Sequence, residues 1–255
     1  MRIVILGAGN IATTLAPALA RVGHEIAQVY SRTLHSCLIL NQRLQTAGQE
    51  PLLTNSLTDI ITDADLYVYA LPDDVIPDVA SLLKTNSRSV YLLVAGTVAM
   101  SVFDSKQRKA VMYPFQSFSR QKEVDLRGVP MLIEAGDDET LREVKQLAQQ
   151  LSDKVFEANL EERCRLHLAG VLVNNFTNHL YNIAKQQLDR ANLPFDLLLP
   201  LIDYTAQKVH QMTPEQAQTG PAVRHDEHTI GINMSLLDNP THRQLYQLFT
   251  QDIQG

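Results

Sequence analysis

The first twelve residues constrain this chain more than any other stretch. They read Met1-Arg2-Ile3-Val4-Ile5-Leu6-Gly7-Ala8-Gly9-Asn10-Ile11-Ala12. An apolar run, Ile3 to Leu6, ends in Gly7-x-Gly9-x-x-Ala12, and Leu15, Ala18, Leu19 and Val22 follow at helical spacing. Strand, glycine-rich turn and helix in that order form the context that a dinucleotide fingerprint requires. In that reading Gly7 makes the tight turn, Gly9 lets backbone approach a pyrophosphate, and Ala12 lets the helix pack close to the strand. Asn10 and Ile11 lie between them, where the helix N-terminus offers N–H groups and partial positive charge to phosphate. The competing reading is a plain βα turn. The agreement of position, preceding strand and following helix favours the nucleotide.

Apolar runs recur downstream. The stretches 25–30, 51–54, 66–71, 89–94, 110–113, 130–134 and 154–157 read as strands, and helical patterns end near Ala47, Leu83 and Leu151. Asp73 or Asp74 is expected to cap the helix that reaches Leu83. This βαβαβαβ alternation predicts an α/β fold with a doubly wound, mostly parallel sheet of the Rossmann type. After about Asn159 no strand pattern remains. Residues 161–192 form one long helical pattern, and shorter ones cover 195–211, 213–219, 226–237 and 241–252. The expected organisation is a nucleotide-binding domain over 1–158 and an all-helical domain over 159–255.

Composition excludes several classes. Apolar content of 45% with 20% charged residues is ordinary for a soluble globular protein, and no apolar run is long enough to span a bilayer. The opening strand is not a signal peptide pattern. Cys37 and Cys164 lack metal spacing, so no metal site is expected, and they are expected as reduced thiols in a cytoplasmic protein. A net charge of −6 argues against a nucleic-acid partner.

Ligands of open parallel sheets sit at the carboxyl ends of strands. At the end of the second strand, where an NAD-specific fold usually has an acid on the ribose hydroxyls, this chain has Ser31-Arg32-Thr33. Arg32 is suited to a bidentate grip on a 2′-phosphate, with Ser31 and Thr33 adding hydroxyl donors, which favours NADP over NAD. The bland alternative is a solvated Arg opening a helix. Tyr113-Pro114-Phe115-Gln116-Ser117 ends another strand. Gln116 and Ser117 are candidates to bond a substrate or the nicotinamide amide, and a packed aromatic turn is the equal alternative.

On the long helix, His167, Asn174, Asn178 and Lys185 project within about 20° of one line at 100° per residue. Leu168, Val171, Leu172, Val173, Phe176, Leu180 and Ile183 make the rest apolar nearly all round. Such a helix is expected to be buried on most faces, and its polar stripe then needs a ligand or a partner helix. His167 is a candidate proton donor, with Asn174 and Asn175 as substrate-binding amides; an amide ladder that sets helix register is the alternative. Arg224, His225 and His228, beside the Gly220-Pro221 turn, are candidates for an anionic substrate, and Asp226 is a candidate helix cap.

With these residues collected, the chain resembles NADP-dependent oxidoreductases of the 6-phosphogluconate/β-hydroxyacid dehydrogenase and pyrroline-5-carboxylate reductase superfamily. It is similar in particular to a bacterial subgroup in which a Rossmann domain precedes a helical domain of unassigned function. The match is carried by Gly7–Ala12, Ser31-Arg32, Ala70-Leu71-Pro72-Asp73, Pro114-Phe115-Gln116-Ser117-Phe118, Asn174-Asn175-Phe176 and Gly220-Pro221-x-x-Arg224-x-Asp226. The resemblance implies a homodimer through the helical domain and a site in the cleft between domains. Departures are Tyr113 where the subgroup tends to have His, His225 for Gly, and Asn233 for His. The helix Lys of hydroxyacid dehydrogenases, four residues before an Asn, is replaced by Gly170 or Val171. Imine reduction, hydride exchange between cofactors and NADP sensing all stay open.

The leading expectation is an NADP(H)-dependent oxidoreductase of a small carbonyl, imine or hydroxy compound. NADP lies across Gly9–Ala12 with Arg32 on its 2′-phosphate, and Ala70, Leu71, Pro72 and Gly96 flank ribose and nicotinamide. Gln116, Ser117, Asn174, Asn175 and Arg224 hold the substrate. The alternative, prompted by the missing Lys, is an NADP-binding regulatory or scaffold protein without catalysis.

Overall fold

The computed structural model describes residues 1–83, 86–103, 106, 108–122 and 124–255. The chain divides into two compact units, Met1–Val171 and Leu172–Gly255.

The first unit is built on eight strands: β1 (Arg2–Leu6), β2 (Glu25–Tyr30), β3 (Leu52–Thr54), β4 (Leu66–Tyr69), β5 (Val90–Leu93), β6 (Arg108–Pro114), β7 (Met131–Ala135) and β8 (Val155–Glu157). They lie in the order β3-β2-β1-β4-β5-β6-β7-β8. Every pairing is parallel except β6 with β7, where Met112 faces Ile133. The chain leaves β1 in one direction, through β2 and β3, and returns to its other side at β4. The crevice of a doubly wound sheet opens at that reversal.

Burial on both faces explains why the central strands read as continuous apolar runs rather than alternations. Ile3 and Ile5 pack on one face with Leu15 and Leu19 of α1 (Ala12–Arg21), Leu40 and Leu44 of α2 (Leu34–Thr46), and Val144 and Leu147 of α4 (Asp138–Leu151). Val4 and Leu6 pack on the other, with Ile76 and Val79 of α3 (Ile76–Leu82) and with Phe103. The α3 helix starts after Val75, with no side-chain cap. The expected cap from Asp73 or Asp74 is not made, because the Asp73 carboxylate instead accepts the Thr97 hydroxyl at 2.8 Å.

Helix α5 (Leu160–Gly170) belongs to this unit. It opens with a capping box, Asn159 and Glu162 bonding each other's backbone N–H groups. Its Arg163 is fully buried, paired with Glu134 of β7 and donating to the carbonyls of Ala158 at 3.1 Å and Val98 at 3.3 Å. A π-helical stretch, Val171–Phe176, follows at the boundary between the units.

The second unit is helical: α6 (Thr177–Arg190), α7 (Leu199–Lys208), α8 (Pro214–Ala217), α9 (Glu227–Leu236) and α10 (Pro240–Gln254), with a 3₁₀ turn at Phe195–Leu198. Asp226 caps α9 as expected, accepting from the Thr229 N–H and hydroxyl at 3.0 and 2.7 Å.

The long helix differs from its sequence reading in two ways. The π stretch bonds i to i+5, so the chain turns less per residue there than the 100° projection assumes. The uniform projection therefore does not carry from His167 to Asn174 and Asn178. Nor is the helix buried on most faces: Leu168, Leu172, Val173 and Phe176 are all more than half exposed.

Candidate active site

The turn after β1 has the geometry that its glycines predict. Gly7 sits at φ +107°, and a Cβ there would stand 2.1 Å from the Ala70 carbonyl oxygen at the end of β4. Only glycine lets these two strand ends meet so closely. At Gly9 a Cβ would meet nothing within 4 Å, so its open side is space, not packing. Among the described residues, no acceptor within the chain takes the backbone N–H groups of Gly9, Asn10, Ile11 or Ala12, while Thr13 N–H bonds Gly9 and Thr14 N–H bonds Ile11. Four unsatisfied donors at a helix start form a site built for an anion. A dinucleotide pyrophosphate fits it.

These donors border an open cleft of about 480 Å³ within the first unit. Gly9, Asn10 and Ile11 form one wall. The others come from the carboxyl ends of β4 (Tyr69 to Asp73), β5 (Val94 to Thr97) and β6 (Tyr113), then Gln116, Phe118 and His167. Of the predicted residues, the cleft thus gathers Gly9, Asn10, Ile11, Ala70, Leu71, Pro72, Gly96, Gln116 and His167. Gly7 and Ala12 are buried beneath it. Ser31, Arg32 and Thr33 follow β2. Ser31 donates its N–H to Thr54, and the Arg32 side chain is exposed with no acceptor among the described residues. Ser117 is exposed, its N–H held by the Gln116 side chain at 2.8 Å. Asn174, Asn175 and Arg224 lie in the second unit, all exposed. The Asn174 amide reaches the Asn175 side chain at 3.5 Å.

Three groups were missed by sequence reasoning. Tyr113 is the first. Its hydroxyl meets His167 Nδ1 at 3.1 Å, and its ring lies on Gly96 so tightly that a Cβ there would stand 2.6 Å away. Burial, and secondarily the Asp73 charge, pushes its phenol up from the usual tyrosine range. The signal was present in its place at a strand end, but its partner is 54 residues distant. The second is the Asp73–Thr97 pair on the cleft wall. The third is Arg120, which donates to the Ala8 carbonyl at 2.8 Å. Arg43 in turn holds the Arg120 carbonyl at 2.5 Å and that of Thr13 at 3.2 Å. The two guanidiniums brace the fingerprint loop from behind.

The structure also gives a reason for the missing helix Lys. A Cβ at Gly170 would stand 2.8 Å from the Phe115 ring. Phe115 occupies the space where a side chain would begin. His225, where the subgroup tends to have Gly, has φ +51°, the left-handed region that favours glycine.

Comparison with known proteins gives the same picture. Residues 2–95 match the family described as NADP oxidoreductase, coenzyme F420-dependent, and residues 129–253 match a domain of unknown function, DUF2520. No curated protein matches the chain. Among solved structures, it is 40% identical to a putative NADP oxidoreductase from Bacteroides fragilis, over 99% of this chain and 97% of that one, with a TM-score of 0.91. A Thermotoga maritima protein is 21% identical over 99% and 100% of the two chains, with a TM-score of 0.75. A 1-pyrroline-5-carboxylate reductase from Streptococcus pyogenes is 12% identical over 100% and 98%, with a TM-score of 0.67. The last two show the shared fold. The 40% identity, sustained across nearly the whole of both chains, shows that this chain belongs to the NADP oxidoreductase family of the Bacteroides fragilis protein.

Proposed function

We propose that this oxidoreductase binds NADP(H) along Gly9–Ala12 and uses it on a small carbonyl, imine or hydroxy compound in the cleft. The observation that carries the reading is the row of backbone N–H groups, Gly9 to Ala12, that find no acceptor among the described residues, the first three of them on the cleft wall. Gly7 and Ala12 shape the turn beneath them. Arg32, exposed and without an acceptor among the described residues, takes the 2′-phosphate, with Ser31 and Thr33 beside it. Ala70, Leu71, Pro72 and Gly96 line the path to the nicotinamide. When bound, the cofactor supplies or accepts hydride; the protein supplies position and charge. Gln116 keeps its side-chain NH₂ for a ligand, since its oxygen is bound by Ser117 N–H. Ser117, Asn174, Asn175 and Arg224 are assigned to the substrate on their residue types and on the resemblance. Two free cysteines, Cys37 and Cys164, fit a reducing, cytoplasmic setting. Among the described residues no helix is long and apolar enough to cross a membrane.

Titration with NADPH and NADH, on wild type and Arg32→Ala, tests the cofactor. A charge-assisted pair is worth about 1.5–3 kcal/mol, so Arg32→Ala should weaken NADPH by about 10- to 100-fold and leave NADH nearly unchanged. An equal effect on both would overturn the 2′-phosphate role.

We also propose that a second copy of the chain covers the helical unit. Leu172, Val173, Phe176, Leu201 and Leu236 are each more than half exposed there, and contiguous exposed apolar surface marks interaction sites. Sedimentation should give a dimer at micromolar concentration; a monomer would contradict this.

A further inference from the structure

Reducing a C=O or C=N bond needs a proton as well as a hydride. Among the described residues of the cleft wall, Tyr69, Asp73, Tyr113 and His167 are the titratable ones. Tyr69 is fully buried, its ring packed edge-on to Phe103. Asp73 acts as an acceptor, holding the Thr97 hydroxyl. Among the described residues, no Lys, Arg or Cys lines the cleft. That leaves Tyr113 and His167, which are bonded to each other.

The two differ in what surrounds them. Tyr113 is half-buried, and its ring is fixed on two sides. Gly96 backbone lies against it, and the Phe115 ring meets it edge-on with centroids 6.2 Å apart. Phe115 is seated in turn on Gly170, three residues after His167 on the same helix face. His167 is exposed. A half-buried, immobilised hydroxyl backed by a solvent-reachable imidazole is the layout of a proton relay, with the phenol as its inner end.

We propose that Tyr113 is the acid of the reaction, its Oη–H protonating the substrate heteroatom, and that His167 recharges it from solvent. This rests on the reading of the cleft as the reductase site. Hydride adds to the substrate carbon, the reductant being the dihydronicotinamide of the proposed reaction. The C=X π pair moves onto X. The Tyr113 O–H bond breaks as the X–H bond forms, leaving a phenolate. The Nδ1–H bond of a protonated His167 then breaks to restore the phenol, leaving the neutral Nε2–H tautomer, whose Nδ1 regains its proton from solvent. Before the reaction Nδ1–H donates to Oη, which leaves the phenol hydrogen free for the cleft. A tyrosine phenol is protonated at neutral pH and burial pushes it further up, so the proton is present to give. The imidazolium beside it offsets the negative charge that Asp73 and the phenolate would otherwise share.

Tyr113→Phe is the test, because it keeps the ring that packs on Gly96 and Phe115. In the cofactor-free protein, the ¹⁵N shifts of the His167 imidazole should change in Tyr113→Phe. Identical spectra would show that the bond is not held, and would overturn the proposal. NADPH affinity should stay within threefold of wild type. Single-turnover oxidation of NADPH, with 2-methyl-1-pyrroline as C=N probe and ethyl pyruvate as C=O probe, should slow by about 10²- to 10⁴-fold. His167→Gln, which can still bond the phenol but cannot deliver a proton, should lower steady-state kcat more than the first-turnover rate. If wild type turns over and Tyr113→Phe matches it within threefold, the relay is wrong while the reductase reading stands. If wild type does not bind NADPH, both fall.

Discussion

Gly7 and Gly9 stand two residues apart in one turn, and alanine should act on them in opposite ways. At Gly7 the added Cβ would lie 2.1 Å from the Ala70 carbonyl oxygen. A carbon and a carbonyl oxygen normally keep about 3.3 Å, so the backbone must move by about 1.2 Å. That shift pulls on the Gly7 N–H bond to Tyr30 at 2.7 Å and the Ala70 N–H bond to Leu6 at 2.8 Å. Losing one buried backbone bond costs about 1–3 kcal/mol. Forcing a residue other than glycine to φ +107° costs about 1–3 kcal/mol more. The sum is about 2–6 kcal/mol, or a Tm lower by on the order of 10 °C in a chain of this size. At Gly9 the φ is not positive and the Cβ faces space. Stability there should change by under about 1 kcal/mol, upward if at all. NADPH binding should weaken by about 10- to 100-fold, since one charge-assisted bond to the pyrophosphate is worth about 1.5–3 kcal/mol. Thermal melts and NADPH titrations of the two variants separate these effects. A Gly7→Ala melt equal to wild type would refute the close-approach argument. Unchanged NADPH binding by Gly9→Ala would refute the cradle.

Two further outcomes concern stability. The Asp137 carboxyl caps α4 and is held below the usual carboxylate range by the Thr140 N–H, then by the Thr140 hydroxyl. Its folded pKa is thus below the unfolded value of about 3.9. The stability it adds is present above that value and is lost as pH falls through the folded one. Asp137→Ala should cost about 1 kcal/mol at neutral pH by urea denaturation, and the gap should narrow as pH falls below the unfolded value of about 3.9; a constant gap would contradict the linkage. His225→Gly should relieve the left-handed strain and raise stability by up to about 1 kcal/mol, read in the same assay. A loss would mean that the His225 side chain holds something worth more than the strain.

The first unit was legible because its signals are local. A strand buried on both faces is a short apolar run, and β2 was read with its observed limits, Glu25–Tyr30. Strand ends in a parallel sheet point to the cleft, so Leu71, Gly96 and Gln116 could be picked from pattern alone. The antiparallel turn from β6 to β7 could not, because an apolar run has no direction. The π stretch at Val171–Phe176 escaped for a similar reason: residue types do not report one shifted hydrogen bond, yet that shift undoes the projected stripe. The Tyr113–His167 bond joins positions far apart in sequence, and only the fold brings them together. The apolar flank of Leu168, Leu172 and Val173 was expected to be buried, and it is not. Its exposure in one chain moves the question of what covers it to the assembly.

The central claim is that NADP lies on the fingerprint turn with its 2′-phosphate on Arg32. A crystal structure of the protein grown with NADP⁺ tests it most directly. The account predicts pyrophosphate density on the N–H groups of Gly9 to Ala12 and phosphate density at the Arg32 guanidinium. Cofactor density elsewhere, or a bare cleft at saturating NADP⁺, would contradict it.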